Sequence, residues 1–265
     1  MSKNLLAGIA LLAFTHPAWP LDLADYTLAD LTHPYNKDTI YWPTSPSKFE
    51  LKSLAYGETP GGWFYSANTL CTPEHGGTHF DAPSRFSADG SAVHAVPLER
   101  LIAPAVLIDV SAQARADRNY RLTVEDVRAF EERHGVIAAG TIVLLRTGWS
   151  ERWPDARAYL GDDTRGDAAR LSFPSYGADA ARLLVDERGV VLLGIDTASI
   201  DYGPSQDFPV HRIAAARDVG GLENLTGLAQ LPPTGFTIFA LPMMIEGGSG
   251  APVRVVALLV SDTEN

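Results

Sequence analysis

A cluster of potential metal ligands occupies residues 75–83, whose sequence is HGGTHFDAP. The imidazoles of His75 and His79 and the carboxylate of Asp81 fall within seven residues of one another. Three ligands of this kind leave coordination positions of a divalent ion open for water and substrate, as a catalytic metal site requires. The spacing therefore indicates a metal-dependent enzyme. The alternative, from spacing alone, is a chance grouping on a surface loop, because the chain contains seven histidines.

The residues between these ligands predict an extended conformation for the cluster. His75 and His79 have the spacing of one helix face, but two intervening glycines and the proline at position 83 disfavour a helix. On a strand, His79 and Asp81 would point to the same side. The glycines would let the backbone bring His75 to the same ion, and Thr78 could hydrogen-bond one of the ligands.

Composition limits the classes of protein to which the chain can belong. The 265 residues are 46% hydrophobic, which suffices for one large domain with a sizeable core. The formal net charge of −11 does not provide the basic surface expected of a nucleic-acid-binding protein. The only cysteine, Cys71, excludes a disulfide scaffold. It is a candidate ligand or nucleophile, but a small buried apolar residue is the favoured interpretation.

Strand and helix patterns alternate through much of the chain. The helix at 123–134 has Thr123 as its cap, Asp126 in the capping-box position and Gly135 after its end. The alternation predicts an α/β fold in a single domain. The predicted strands are 104–110, 141–145, 190–195, 236–241 and 253–260, and the predicted helices are 123–134, 178–187 and 210–217.

The N-terminus resembles a secretory signal peptide. Lys3 precedes an apolar run over residues 5–14, and a breaker-rich stretch follows to position 20. The run is too short to span a bilayer as a helix in the mature chain. We therefore expect a signal peptide at 1–20, a hydrolase domain at 21–265, and a periplasmic or secreted protein. The alternative is an uncleaved N-terminal helix that packs on the domain of a cytoplasmic protein.

The string HGGTHFDAPSRF resembles the signature H-x-G-T-H-x-D-x-P-x-H of the cyclase family of metal-dependent hydrolases. That family includes bacterial kynurenine formamidase and isatin hydrolase. Other segments are also similar to the family, among them DLTHPYNKDTIYWP, GIDTASID and GLENLTGLAQLPPTGFTIFALP, so the resemblance extends over about residues 30–260. It implies a single domain with a mixed β core of the swivelling β/β/α type, surrounded by helices.

The resemblance also implies a set of metal ligands. His75, His79 and Asp81 match the ligands of one ion, and His211 and Glu223 match residues that hold a second ion, with Asp81 as the bridge. The metal would be zinc or manganese, with one or two ions per subunit. Without the family pattern, His211 and Glu223 would be unremarkable residues near helix starts.

Three aromatic residues are candidates for binding the substrate. Trp42 matches a family tryptophan that contacts substrate, and a packed aromatic beside Pro43 is the equal alternative. Trp63 and Phe64 could form the wall of an aromatic pocket, although packing in the core is the favoured interpretation. The resemblance further implies a homodimer or larger assembly, in which the Trp42 region could reach a neighbouring site.

One residue departs from the family signature. Arg85 replaces its final histidine, which serves as the general acid and base in kynurenine formamidase. Arginine stays protonated and cannot accept a proton from water, but it could hold a carboxylate or stabilise an oxyanion. Glu223 or Asp81 would then move the proton. His94 is a less favoured substitute.

Together these features predict an amidohydrolase that cleaves the C–N bond of a small aromatic amide through metal-activated water. The substrate would be an aryl formamide like N-formylkynurenine or a cyclic amide like isatin. A non-catalytic member that binds metal and an aromatic ligand is the alternative, because of Arg85. A serine hydrolase is disfavoured because no G-x-S-x-G motif is present, and the glycine-rich turn at 247–250 lacks the G-K-[ST] ending of a P-loop.

Overall fold

The computed structural model describes residues 23–260. The predicted signal peptide at 1–20 lies outside the described residues, so cleavage and export stay predictions. Within the described part of the chain, no helix is both long and apolar enough to cross a membrane.

A mixed β-sheet forms the centre of the fold. Its strands are β1 (Tyr26–Asp30), β4 (His79–Asp81), β5 (Ile102–Asp109), β7 (Ile142–Arg146), β9 (Leu192–Ile195), β10 (Gly220–Glu223), β11 (Phe236–Pro242) and β12 (Gly250–Val260). Two small pairs lie apart from it: β2 (Glu50–Glu58) with β3 (Phe64–Cys71), and β6 (Arg121–Leu122) with β8 (Ser175–Tyr176). The helices are α1 (Leu98–Leu101), α2 (Ser111–Ala116), α3 (Val124–His134), α4 (Ala156–Leu160), α5 (Ala178–Arg182) and α6 (Pro209–Ala215).

The sheet closes on itself through its shortest strand. Its order is β1-β12-β11-β5-β7-β9-β10-β4, and β4 also pairs with the start of β12. Strands β5, β7, β9 and β10 run parallel, whereas β4, β11 and β12 pair in antiparallel fashion. The predicted mixed β core is thus confirmed as a barrel-like sheet, and β4, which carries two of the candidate ligands, completes it.

The central parallel strands form where the sequence has short runs of branched apolar residues. Four consecutive residues of β7, 142–145, are fully buried, as expected for a strand covered on both faces. Helices α3, α5 and α6 contribute apolar residues to the core on one face of these strands. The capping box of α3 is confirmed, because Thr123 Oγ1 accepts a hydrogen bond from the Asp126 amide and the Asp126 carboxylate accepts one from the Thr123 amide.

Some elements differ from the sequence prediction. The predicted helix at 178–187 is α5 followed by a π-helical turn at Leu183–Glu187. Strand β10 was not predicted, because its Gly220-Gly221 start has low intrinsic strand propensity. A side chain at Gly220 would overlap the Phe80 ring, so close packing against β4 explains the glycine there.

The β2–β3 hairpin is exposed on both faces, with no buried residue in either strand. Trp63 and Phe64 lie at its tip and are each 62% exposed, so the interpretation that they pack in the core is wrong. Cys71 at the end of β3 is also exposed, which contradicts the favoured interpretation of a buried apolar cysteine. A hairpin has too few neighbours within its own chain to bury aromatic residues on both faces.

Candidate metal centre

Strand β4 places His79 and Asp81 on the same side of the sheet. His79 lies opposite Glu223 of β10, and Asp81 lies opposite Gly221 of β10 and Gly250 of β12. The extended geometry predicted for this segment is confirmed, and the strand is buried along its whole length. Because β4 is paired on both edges, these two side chains are held in a fixed orientation.

A glycine turn brings His75 to the same place. Gly77 has a φ of +58°, a conformation that favours glycine over residues with a side chain. The turn brings His75 Nδ1 to 2.7 Å from Asp81 Oδ1. The role predicted for the glycines, folding the histidine back towards the aspartate, is seen directly in the structure.

His211 and Glu223 reach the cluster from distant parts of the chain. His211 lies in the first turn of α6, and Glu223 ends β10. His211 Nε2 lies 3.0 Å from Asp81 Oδ2 and 3.1 Å from Glu223 Oε1. The opposite ring nitrogen, Nδ1, lies 2.7 Å from the Asp201 carboxylate, which also accepts a hydrogen bond from the His211 amide. Asp201 therefore fixes the orientation of this imidazole.

The five residues form two overlapping groups. One group consists of His75, His79 and Asp81, and the other of Asp81, His211 and Glu223, with the potential ligand atoms of each group within 4.8 Å of one another. Asp81 belongs to both groups. The structure thus brings together all five residues that the family resemblance implied as ligands, although the last two are remote in sequence.

Two buried carboxylates share this centre and need compensating positive charge. Burial alone would raise the pKa of Asp81, but the Arg85 guanidinium and hydrogen bonds from His211 and His75 hold it well below its usual range. Burial and the charge of Asp81 also oppose ionisation of Glu223, whereas His211 and His79 outweigh them and lower its pKa to about 2. Both carboxylates are therefore anionic at neutral pH, which favours a cation between them.

The surroundings of His79 are those of a metal ligand. The residue is 2% exposed, and its Nδ1 lies 3.0 Å from the carbonyl oxygen of Gly77, to which it can donate. Its Nε2 lies 3.2 Å from Asp81 Oδ1 and 3.3 Å from Glu223 Oε2. Neither contact has hydrogen-bond geometry, so this buried nitrogen has no hydrogen-bond partner among residues 23–260. A nitrogen lone pair facing two carboxylates matches the donors that zinc and manganese bind.

A hydrogen-bond network behind the centre supports His79. The Asn224 side chain donates to the Gly77 carbonyl at 2.7 Å, and Tyr159 donates to the Asn224 side-chain oxygen at 3.0 Å. Thr78, predicted as a possible partner of a ligand side chain, instead donates to the Asn224 backbone carbonyl at 2.7 Å. These bonds fix the chain immediately before His79 and immediately after Glu223.

Arg85 lies at the centre, next to the Asp81 carboxylate that belongs to both ligand groups. It is the last residue of a 3-10 turn (Pro83–Arg85) after β4, and its guanidinium Nη1 contacts Asp81 Oδ2. The side chain is 28% exposed and also lies over the Phe86 ring. Its charge is therefore fixed between the ligand cluster and solvent.

A small cavity opens beside the centre. It measures about 20 Å³, room for about one water molecule, and its lining includes His79, Arg85, Glu223 and Trp42. A larger cleft of about 640 Å³ shares Trp42 and the two preceding residues with the cavity. Trp42 is half-buried with its ring edge-on to Phe173, so it both packs against the protein and faces the cavity.

Other candidate residues lie outside this cavity. Trp63 and Phe64 do not line it within their own chain. His94 is exposed and accepts a hydrogen bond from the Gly247 amide, so it does not replace the missing signature histidine among the ligands.

Sequence reasoning did not identify several residues that support the ligands. Asp201 hydrogen-bonds His211, and Asn224 hydrogen-bonds the backbone at Gly77. Glu74 and Ser249 form a chain of hydrogen bonds to His75. Asp201 and Asn224 lie within segments that resemble the family, which was the available signal. Ser249 is 174 residues from His75, and no local pattern connects the two.

The fold and the ligand cluster match one family of proteins. The family model described as a putative cyclase matches residues 29–202, and the chain belongs to this cyclase family. It is 33% identical over 221 residues to the isatin hydrolase of Roseibium aggregatum, covering 80% of this chain and 81% of that protein. It is 32% identical over 231 residues to the kynurenine formamidase of Salinibacter ruber, covering 86% and 96%.

Solved structures give the same result. Isatin hydrolase A from Ralstonia solanacearum superposes with a TM-score of 0.82 at 34% identity, covering 92% of this chain and all (100%) of that chain. An isatin hydrolase bound to the product analogue thioisatinate superposes with a TM-score of 0.82 at 30% identity, covering 90% of this chain and 94% of that one. The chain is therefore a metal-dependent amidohydrolase that uses a divalent metal. The non-catalytic alternative is not favoured, because these relatives are hydrolases.

Proposed function

We propose that the protein hydrolyses the C–N bond of an aryl formamide or a cyclic aryl amide. The residues that would hold the divalent metal are the two overlapping ligand groups, to both of which Asp81 belongs. The observation that carries this proposal is the pair of overlapping ligand groups on a barrel shared with isatin hydrolase. The proposed ligands are His75, His79 and Asp81 for the first ion and Asp81, His211 and Glu223 for the second.

Zinc or manganese would suit this set, which contains imidazole and carboxylate donors and no thiolate. A divalent ion bound there would polarise the amide carbonyl and activate water at neutral pH. Metal analysis of the purified protein would decide both identity and number. A content of about one ion per chain would contradict a second ion at Asp81, His211 and Glu223.

The protein's own residues would bind and orient the reactants. Glu223, with its pKa of about 2, is a poor proton store at neutral pH. We therefore assign it to ligand binding and to orienting the attacking water by accepting a hydrogen bond. The Arg85 guanidinium would stabilise negative charge that develops on the carbonyl oxygen. The cavity is too small for a ring, so the aromatic part of the substrate would lie against Trp42 in the adjoining cleft.

Turnover assays with chelator controls test this function. Protein reconstituted with zinc or manganese is expected to hydrolyse isatin, N-formylkynurenine or both, with kcat/KM on the order of 10⁴ M⁻¹s⁻¹ or higher for the preferred substrate. EDTA should abolish turnover, and added metal should restore it. Hydrolysis that resists EDTA would contradict the metal mechanism, and inactivity on both substrates would exclude the proposed substrate classes.

The exposed hairpin supports a homodimer. Large apolar side chains project from the two hairpin strands and the turn between them, which we call the hairpin arm (residues 50–71). The most exposed of them are Tyr56 (81%), Leu54 (65%), Trp63 and Phe64 (62% each) and Leu51 (60%). An isolated two-stranded hairpin is marginal in water, and an exposed apolar surface of this kind is typical of a protein–protein interface. A second copy of this chain is the partner that is always present, and β3 leads directly into the segment that carries His75.

A charge placed on the arm should separate the dimer. Tyr56→Asp is expected to convert a dimer to a monomer in size-exclusion chromatography with light scattering, because burying an unpaired carboxylate is costly. Val136→Asp is the matched control, since Val136 is an apolar residue 73% exposed outside the arm. A monomeric wild type, or a Tyr56→Asp variant that remains dimeric, would contradict this assembly.

A further inference from the structure

The face of His75 opposite the ligand cluster contacts a short chain of hydrogen bonds. His75 Nε2 lies 3.0 Å from Ser249 Oγ, and that hydroxyl lies 2.6 Å from Glu74 Oε2. The Ser249 amide also donates to the same carboxylate oxygen at 3.2 Å. His75 and Glu74 are 23% and 34% exposed, so the chain of bonds runs from the ligand cluster towards the surface.

The chemistry of the three groups decides where the protons lie. The ionised carboxylate of Glu74 only accepts hydrogen bonds, so the single hydroxyl proton of Ser249 is donated to it. The lone pairs of Ser249 Oγ then accept from His75 Nε2–H. With the proton on Nε2, the Nδ1 lone pair of His75 faces Asp81 Oδ1 at 2.7 Å, which is the arrangement that a cation between them requires.

The backbone around Ser249 makes this arrangement rigid. The carbonyl of Ser249 accepts a hydrogen bond from the Ala82 amide at 3.0 Å, and Gly250 pairs with Asp81 in the sheet. A side chain at Gly250 would overlap the His75 ring. Gly250 at the start of β12 therefore provides the close contact for the imidazole, and Ser249 just before the strand provides the hydroxyl that orients it.

We propose that Glu74, acting through Ser249, is a positioning residue that holds His75 in the Nε2–H tautomer and makes Nδ1 its metal-binding atom. This inference rests on the proposed metal site. An oriented histidine binds a cation more tightly because it loses less rotational freedom on binding.

Zinc affinity of single variants tests the inference without measuring turnover. Ser249→Ala is expected to weaken zinc binding about 10–100-fold in competition with a fluorescent chelator. Ser249→Thr keeps the hydroxyl and should bind as the wild type does. Glu74→Ala should weaken binding more than Glu74→Gln, which keeps an acceptor oxygen. Ser84→Ala is the matched control, because the buried Ser84 hydroxyl has no hydrogen-bond partner in the described chain.

A spectroscopic measurement reports the tautomer directly. In the zinc-loaded wild type, ¹⁵N NMR of the histidine rings should show His75 protonated at Nε2 and bound to zinc through Nδ1. The Nε2 proton should exchange with solvent faster in Ser249→Ala than in Ser84→Ala. Thermal melting of each variant separates loss of fold from loss of positioning.

The outcomes distinguish this inference from the metal site itself. Zinc bound through His75 Nε2, or equal zinc affinity of Ser249→Ala and Ser84→Ala, would overturn the positioning role and leave the metal site intact. A wild type that binds no zinc or manganese would overturn both.

Discussion

Replacing His79 with alanine is expected to remove bound metal and hydrolysis together. His79 Nε2 is the buried nitrogen that faces both Asp81 and Glu223, so its loss affects both ligand groups. A bound metal stabilises the transition state by several kcal/mol, so its loss should lower kcat/KM about 10³-fold or more. Metal content by mass spectrometry and turnover of the preferred amide, measured on the same preparation, check the prediction.

A second histidine provides the control for His79→Ala. His94 is exposed and accepts a hydrogen bond from the Gly247 amide away from the ligand cluster, so His94→Ala should keep both metal and activity. Circular dichroism of both variants monitors the fold. Metal-dependent turnover retained by His79→Ala would remove His79 from the set of ligands.

Replacing Arg85 with alanine is expected to separate metal binding from catalysis. The guanidinium contacts Asp81 and lines the cavity but is not itself a ligand. Its loss should lower kcat about 10²–10³-fold, as removal of one oxyanion donor does. Metal content should stay at the wild-type level, because Arg85 is not a ligand. Its removal only takes away a cation that competes with the metal ion for the carboxylates of Asp81 and Glu223. Metal analysis and steady-state kinetics on the same sample check both parts.

Arg146→Ala is the matched control, since Arg146 is also a part-exposed arginine (25% against 28% for Arg85) paired with an aspartate. Arg85→His restores the family signature. If that imidazole accepts a proton, activity of the variant should rise with pH through about 6.5, the ordinary histidine pKa. Unchanged kcat in Arg85→Ala would show that Arg85 takes no part in the reaction.

The local part of the centre was accessible from sequence because short-range rules control it. His79 and Asp81 are two residues apart, so a strand places them on one side. Glycine at position 77 supports the turn that returns His75. The capping box of α3 and the apolar runs of β5, β7 and β9 follow from the same kind of local preference.

The remote part of the centre was not accessible from such patterns. His211 and Glu223 lie 130 or more residues from the 75–81 segment, and only the family resemblance identified them as candidates. The exposed positions of Trp63, Phe64 and Cys71 were also missed. Whether a hydrophobic residue is buried depends on the neighbours that the sheet supplies, and within residues 23–260 these neighbours bury no strand residue of the hairpin arm.

The sequence by itself determined the class of chemistry, because two histidines and an aspartate within seven residues are metal-binding side chains. Their relative placement over so short a segment follows from covalent geometry and backbone preference. It also determined the departure at Arg85, which no folding can turn into a proton acceptor. Only the tertiary structure decided that β4 closes the barrel between β10 and β12. That closure brings Glu223 and Ser249 to the two sides of the centre, since pairing between distant strands depends on the whole sheet.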